Sequence, residues 1–307
     1  IPYTSIIDQT AQIFKAILGE DYILEHHCNV QFDDTTTDEQ LSEHENLVQS
    51  WDKPIVLTTM VQFLNTAFTM KNTNLRRMHA LTNSVIIFDE IQSLPEHCTY
   101  SFFQFCTFLY TVCNCTIVLC SATQPETRDN RLKYRLLASD DIGGLTEADA
   151  EEMCRTKIVH ILHEDPEENH RIRELKTEEL ANIVLEKLSA PDGENRTALI
   201  VHNTKNAALN TFCAICNKVD PTQYSVHLLT TNFCAKHRKK ILATLREELQ
   251  GDCTQKVIIV STQLIEAGVD ISVDVAFRSL AGLDNVIQTA GRCRRNSNGE
   301  KKYPIYV

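Results

Sequence analysis

The sequence predicts an α/β protein of two tandem domains, each a mostly parallel sheet flanked by helices. Short apolar runs without alternation, Val85–Phe88, Ile117–Cys120, Ala198–Val201 and Val257–Val260, fit strands buried on both faces of such sheets. Most of these runs end in small polar or acidic residues, and helical stretches lie between them, which is the pattern of a doubly wound sheet. A charged stretch nearly without apolar residues, 164–176, divides one set of these units from a second. The domains are therefore expected at 1–163 and 177–307, with 164–176 as linker, in keeping with a length of 307 residues.

A net charge of -11 excludes a surface that is basic all over, so any nucleic acid has to meet a local groove. Twelve cysteines with no charged, apolar, small-residue leader favour reduced thiols and a cytoplasmic setting. Cys213 and Cys216 form one C-x-x-C without a second pair at zinc-ribbon spacing, and on a helix they are expected to pack as small apolar residues. The uncharged run Phe102–Cys120 is long enough for a membrane span. Gln104, Thr107 and Asn114 interrupt it, so a buried helix, a turn near Asn114 and a buried strand are expected, and no membrane contact. Ile1 in place of Met makes the chain read as a piece of a longer one.

In chain order, Ile7, Ala11, Phe14 and Leu18 fall at helical spacing before Gly19, with Ser5 and Asp8 as a capping box. A helix is expected to begin just past Thr4, its first turn able to grip a phosphate. His26 and His27 follow Glu25 on a strand, where adjacent side chains point apart, so they are read as structural and not as metal ligands. Residues 33–50 read as a polar surface insertion. Pro54–Thr59 is a strand candidate and Val61–Phe68 a helix; Lys71, Arg76, Arg77 and His79 form a small basic patch.

The organising stretch is VIIFDEIQSLP, Val85–Pro95. Carboxylates at the C-terminal end of a strand lie at the floor of an α/β crevice. Asp89 suits Mg²⁺ coordination and Glu90 suits orienting or deprotonating a water in phosphoryl transfer from a nucleotide. Ser121, Ala122 and Thr123 end the next strand and lie beside the pair if the strands are neighbours.

The second half repeats the logic. A helix is expected over Thr177–Leu188, and strands deliver His202, Asn203 and Thr204, then Thr230 and Thr231, then Ser261 and Thr262. In TQLIEAGVD, Gly268 permits close backbone approach and Asp270 can accept from a ribose hydroxyl. In QTAGRCRR, helical spacing puts Gln288, Gly291, Arg292 and Arg295 on one face, with two guanidinium groups of the kind that stabilise transferring phosphate.

The segments PYTSIIDQTA, VLTTMVQF, FDEIQSLP, CSATQP, ALIVHNTKNA, VSTQLIEAGVDIS and QTAGRCRRN, in that order, resemble the motifs of superfamily-two helicases. More narrowly they resemble the helicase portion of the type I CRISPR-associated helicase–nuclease, which the surveillance complex Cascade recruits to degrade invading DNA. The resemblance implies two RecA-like domains, ATP and Mg²⁺ as nucleotide and cofactor, and single-stranded DNA as the track. It implies Mg²⁺ and water roles for Asp89 and Glu90, with Gln92 closing that motif. Ser121 and Thr123 resemble the element coupling hydrolysis to motion. Gln288, Arg292 and Arg295 resemble the second domain's ATP-contacting residues. Thr4, Thr59, Asn203, Thr204 and Thr262 match phosphate contacts along the strand, and Asp270 matches a ribose or inter-domain contact.

The sequence departs from the family in two respects, of which one is that no His-Asp dipeptide occurs, so the family's metal-dependent nuclease domain is not expected in this piece. No G-x-x-x-x-G-K-[ST] loop occurs, so this chain alone is expected to be nearly inactive, the loop being expected upstream of Ile1. Another superfamily-two helicase acting on RNA or DNA, and a non-hydrolysing nucleic-acid scaffold, stay open as alternatives.

Overall fold

A computed structural model describes residues 4–27, 38–121, 142, 146, 154–161, 175–189, 195–250, 255–266, 269–294 and 302–307. The chain forms two compact units, 1–143 and 144–307.

The first unit opens with the helix Thr4–Leu18, so Ser5 lies inside the helix and not at its cap. Strands β1 (Ile23–His26) and β2 (Ile55–Thr58) pair in parallel, as do β3 (Val85–Phe88) and β4 (Thr116–Leu119). The core is aromatic. Phe88 meets Phe63 and Phe102 edge to face at centroid separations of 4.9 and 4.8 Å, the arrangement the ring quadrupoles favour. The uncharged run divides as expected into the helix Glu96–Thr111, a left-handed Asn114 (φ 54°) and β4, but β4 is not the buried strand expected: Thr116 is exposed and Ile117, Val118 and Leu119 are only half-buried. Among the described residues no helix is long and apolar enough to cross a membrane.

Three further expectations for this unit need correction. First, β3 is not buried on both faces: Phe88 is 4% exposed, but Val85 and Ile87 are 65% and 60% exposed. Both line a cavity of about 810 Å³ that also touches β2 and reaches Asp89. An apolar run records what a strand can bury, and not whether both faces receive a cover. Second, the stretch read as a polar surface insertion contains a helix, Asp38–Ser50, where no element was expected. Leu47 and Val48 pack it against the core around the buried Trp51. Third, Arg77 does not belong to a surface patch. It is 5% exposed, donates from Nε to the Val48 carbonyl at 2.9 Å and lies over the Trp51 ring at 5.5 Å. His26 accepts from Trp51 Nε1 at 3.0 Å, which ties β1 to the residue that follows the helix Asp38–Ser50.

The second unit carries one six-stranded parallel sheet in the order β5-β10-β9-β6-β8-β7. These strands are Thr156–Val159, Tyr303–Tyr306, Val275–Arg278, Thr197–His202, Lys256–Thr262 and Tyr224–Leu229 in that order. Here the apolar runs are buried on both faces. Leu199, Val201, Val257 and Ile259 pack with Leu245 of the helix Ala235–Gln250 on one side. Ala198, Ile200, Ile258 and Val260 pack on the other with the helices Thr177–Leu188 and Lys205–Cys216. Alternate residues thus feed alternate cores.

Two further differences lie in this unit. The sequence assigns 156–159 to the first domain, but β5 pairs with β10 in the second unit's sheet. Its partner lies at the other end of the chain, so local sequence carries no sign of the pairing. Cys213 and Cys216 are exposed, because Ala214 and Ile215 take the buried face of their helix. The expected linker lies largely outside the described residues.

Candidate functional site

In the first unit the parallel register Phe88↔Leu119 brings the ends of β3 and β4 side by side. Cys120 N donates to Phe88 O at 2.8 Å and Ile91 N to Cys120 O at 3.2 Å, which extends the ladder one step past the strands. Glu90 stands in this turn in the left-handed region, at φ 53° and ψ 49°. For a residue with a Cβ that conformation costs roughly 1–2 kcal/mol. It aims the chain into the short turn Ile91–Ser93.

There Gln92 Nε2 donates to Glu90 Oε2, and Ser121 Oγ donates to Gln92 Oε1 at 2.6 Å. The expected neighbourhood of Ser121 and the carboxylate pair is therefore present, with Gln92 as the link between them. Among the described residues Asp89 makes no hydrogen bond or ion pair and is only half-buried, so its oxygens are available to a hard cation. Thr123 lies outside the described residues. Thr59 accepts from Gln62 N at 3.3 Å as the N-cap of the helix Met60–Phe68, and is 8% exposed. Thr4 stands at the start of the first helix.

In the second unit the C-terminal ends of β6, β8 and β9 converge. His202 pairs with Thr262 across the sheet, and Ser279 N donates to Val201 O at 2.9 Å. Thr204 caps the helix Lys205–Cys216, accepting from Ala207 N at 3.2 Å. Asn203 is held at both ends: Nδ2 donates to Leu280 O at 2.7 Å, and Oδ1 accepts from Arg278 Nη1 at 2.6 Å. His202 faces Ser279 Oγ at 3.0 Å, and burial, followed by the charge on Arg278, pushes its pKa down to about 4. Asp270 is exposed, and Gly268 lies outside the described residues.

The single arginine-bearing helix face is a correction. The helix Leu283–Ala290 ends at Gly291, two tight turns follow, and Arg294 is left-handed at φ 42°. Val273 N donates to Arg292 O at 3.0 Å and Arg294 N to Val273 O at 2.8 Å. This bridge draws the backbone onto the segment ahead of β9, which helical spacing alone does not foretell. Gln288 therefore sits on the helix, half-buried, and Arg292 sits past its end, donating from Nη2 to Glu266 O at 2.6 Å. Arg295 lies outside the described residues.

The sequence reading missed the centre of this cluster. Arg278 and Glu266 form an ion pair at 2.7 Å, with side chains 0% and 3% exposed. The one available signal was an arginine closing the apolar run Val275–Phe277, where a charge is costly unless paired.

Residues 194–298 match the family model "CRISPR-associated nuclease/helicase Cas3, C-terminal". A curated CRISPR-associated nuclease/helicase Cas3 of Haloferax volcanii is 23% identical over 96% of this chain and 40% of its own length. Among solved structures, T. fusca Cas3 matches with a TM-score of 0.70 and 19% identity, covering 100% of this chain and 40% of that one. A chain of a "CRISPR RNA-guided surveillance complex, pre-nicking" matches at 0.59 and 18%, over 98% of this chain and 40% of that one. The chain thus spans about 40% of the length of these relatives. The likeness to these structures shows the fold, parallel sheets flanked by helices as in RecA-like domains, and in sequence the chain is similar to the CRISPR-associated nuclease/helicases.

Proposed function

We propose that this chain is the ATP-dependent motor of a CRISPR-associated helicase–nuclease that moves along single-stranded DNA in antiviral defence. The observation that carries the reading is the linked set Glu90–Gln92–Ser121 beside Asp89 at the ends of β3 and β4. Asp89, partly exposed and with no partner among the described residues, fits a Mg²⁺ ligand, and the ion would neutralise phosphate charge. Glu90, held by Gln92, orients the attacking water and takes its proton. In the second unit Gln288 and Arg292 are the ATP-contacting side chains, Arg292 supplying positive charge to the transferring phosphate. Asp270 accepts from ribose.

Thr4, Thr59, Asn203, Thr204 and Thr262 stand at helix starts and strand ends. Hydroxyls, amides and helix N-terminal N–H groups there grip phosphates without the basic surface that a net charge of -11 rules out. The surveillance complex is the partner the reading implies. Without a Gly-Lys phosphate loop in its sequence, this chain alone turns over little ATP.

The deciding experiment measures ATP hydrolysis by the full-length protein alone, with single-stranded DNA and with single-stranded RNA. Stimulation by DNA only supports the reading. Stimulation by RNA points to a different superfamily-two helicase, and a folded protein without hydrolysis in any arm overturns the motor in favour of a scaffold.

A further inference from the structure

The Arg278–Glu266 pair is buried in the second unit between the two groups of residues assigned above. Toward β6, Arg278 Nη1 donates to Asn203 Oδ1 at 2.6 Å and to Ser279 O at 3.0 Å. Toward the helix Leu283–Ala290, Glu266 Oε2 accepts from Asn285 Nδ2 at 2.9 Å and Oε1 from Thr289 Oγ1 at 3.3 Å. The Glu266 carbonyl also accepts from Arg292 Nη2. One ion pair therefore joins the Asn203 turn, the end of β9, the turn after β8 and the segment carrying Gln288 and Arg292.

Separating two charges in a dry interior leaves each uncompensated, so such a pair moves as one body or not at all. Both side chains are enclosed, and Arg278 also ends a strand whose backbone is fixed in the ladder to β6. A displacement of Asn203 reaches Glu266 through three atoms of guanidinium, and from there reaches the helix and Arg292. Hydrogen-bond and ion-pair networks of this sort carry energetic coupling between sites.

We propose that Arg278 and Glu266 are positioning residues that lock the nucleic-acid side at Asn203 to the nucleotide side at Gln288 and Arg292, so that occupation of one changes affinity at the other. The inference rests on the functional reading above and names the residues through which its two ligands communicate.

The test uses the full-length protein with Asn285→Ala, Glu266→Gln and the double variant. The readouts are kcat for ATP and the concentration of single-stranded DNA giving half-maximal stimulation. Asn285 touches Glu266 and is not assigned to DNA, yet Asn285→Ala is expected to raise the half-maximal DNA concentration at least about fivefold, the lower end of ordinary coupling between sites. In the Glu266→Gln background the same substitution is expected to add almost nothing.

An unchanged DNA response in Asn285→Ala, or equal and independent effects in both backgrounds, overturns the proposal. If the wild-type protein shows no DNA stimulation, the functional reading fails instead, and hydrogen exchange decides the pair by itself. Protection lost at both Asn203–Lys205 and Leu283–Ala290 in Glu266→Gln supports the lock. Loss at one segment alone overturns it.

Discussion

Ser121 Oγ donates to Gln92 Oε1 across 2.6 Å, and Gln92 donates in turn to Glu90, so the end of β4 holds the carboxylate that ends β3. Removing the hydroxyl frees the Gln92 amide to rotate and leaves Glu90 less well placed. A neutral hydrogen bond is worth about 0.5–1.5 kcal/mol. Ser121→Ala in the full-length protein is therefore expected to lower kcat by about threefold to tenfold and to leave the KM for ATP nearly unchanged, as steady-state kinetics can check.

Glu90→Gln keeps the shape of the side chain and removes the base. ATP binding, followed by equilibrium titration with Mg²⁺ present, is expected to hold within about twofold, while turnover is abolished. Wild-type hydrolysis in this variant would sink the assignment of Glu90.

Arg292 stands past the end of its helix with its guanidinium against the Glu266 carbonyl, so its position is set by a turn and not by a helix face. Arg292→Ala is expected to slow hydrolysis by roughly 10³-fold, at the lower end of the range for an arginine acting on a transferring phosphate. Single-turnover hydrolysis separates this from an effect on ATP affinity. A rate within about twofold of wild type would leave Arg292 with a structural role only.

His202 gives the second unit an acid sensitivity of predictable sign. Its folded pKa is depressed to about 4 from the usual 6.5, so the unfolded chain binds more protons between those values. Its contribution to stability is complete above about pH 6.5 and is lost as pH falls toward 4. His202→Asn can still meet Ser279 and does not titrate in this range. Urea midpoints measured at pH 7.5 and 5 are expected to differ less in this variant than in wild type.

Much of this was written in local sequence. The pattern of strands ending in polar residues identified both α/β units. The helix Thr177–Leu188 came out at its observed bounds, and the run Phe102–Cys120 resolved into helix, turn and strand because Asn114 accepts a left-handed backbone. Two acids directly after the apolar run Val85–Phe88 stand out in the sequence, and the fold sets Glu90 in a turn linked through Gln92 to Ser121.

What the sequence left open depends on partners distant along the chain. Whether Val85 and Ile87 are covered depends on what packs over β3, and whether 156–159 joins the first or the second sheet depends on Tyr303–Tyr306. The end of the helix before Arg292 depends on Val273, and the function of Arg278 depends on Glu266. Periodicity and turn chemistry are short-range and can be read from neighbouring residues. A buried charge finds its partner only when the fold brings the two residues together, here Arg278 at the end of β9 and Glu266 in the turn after β8, and that is a property of the tertiary structure.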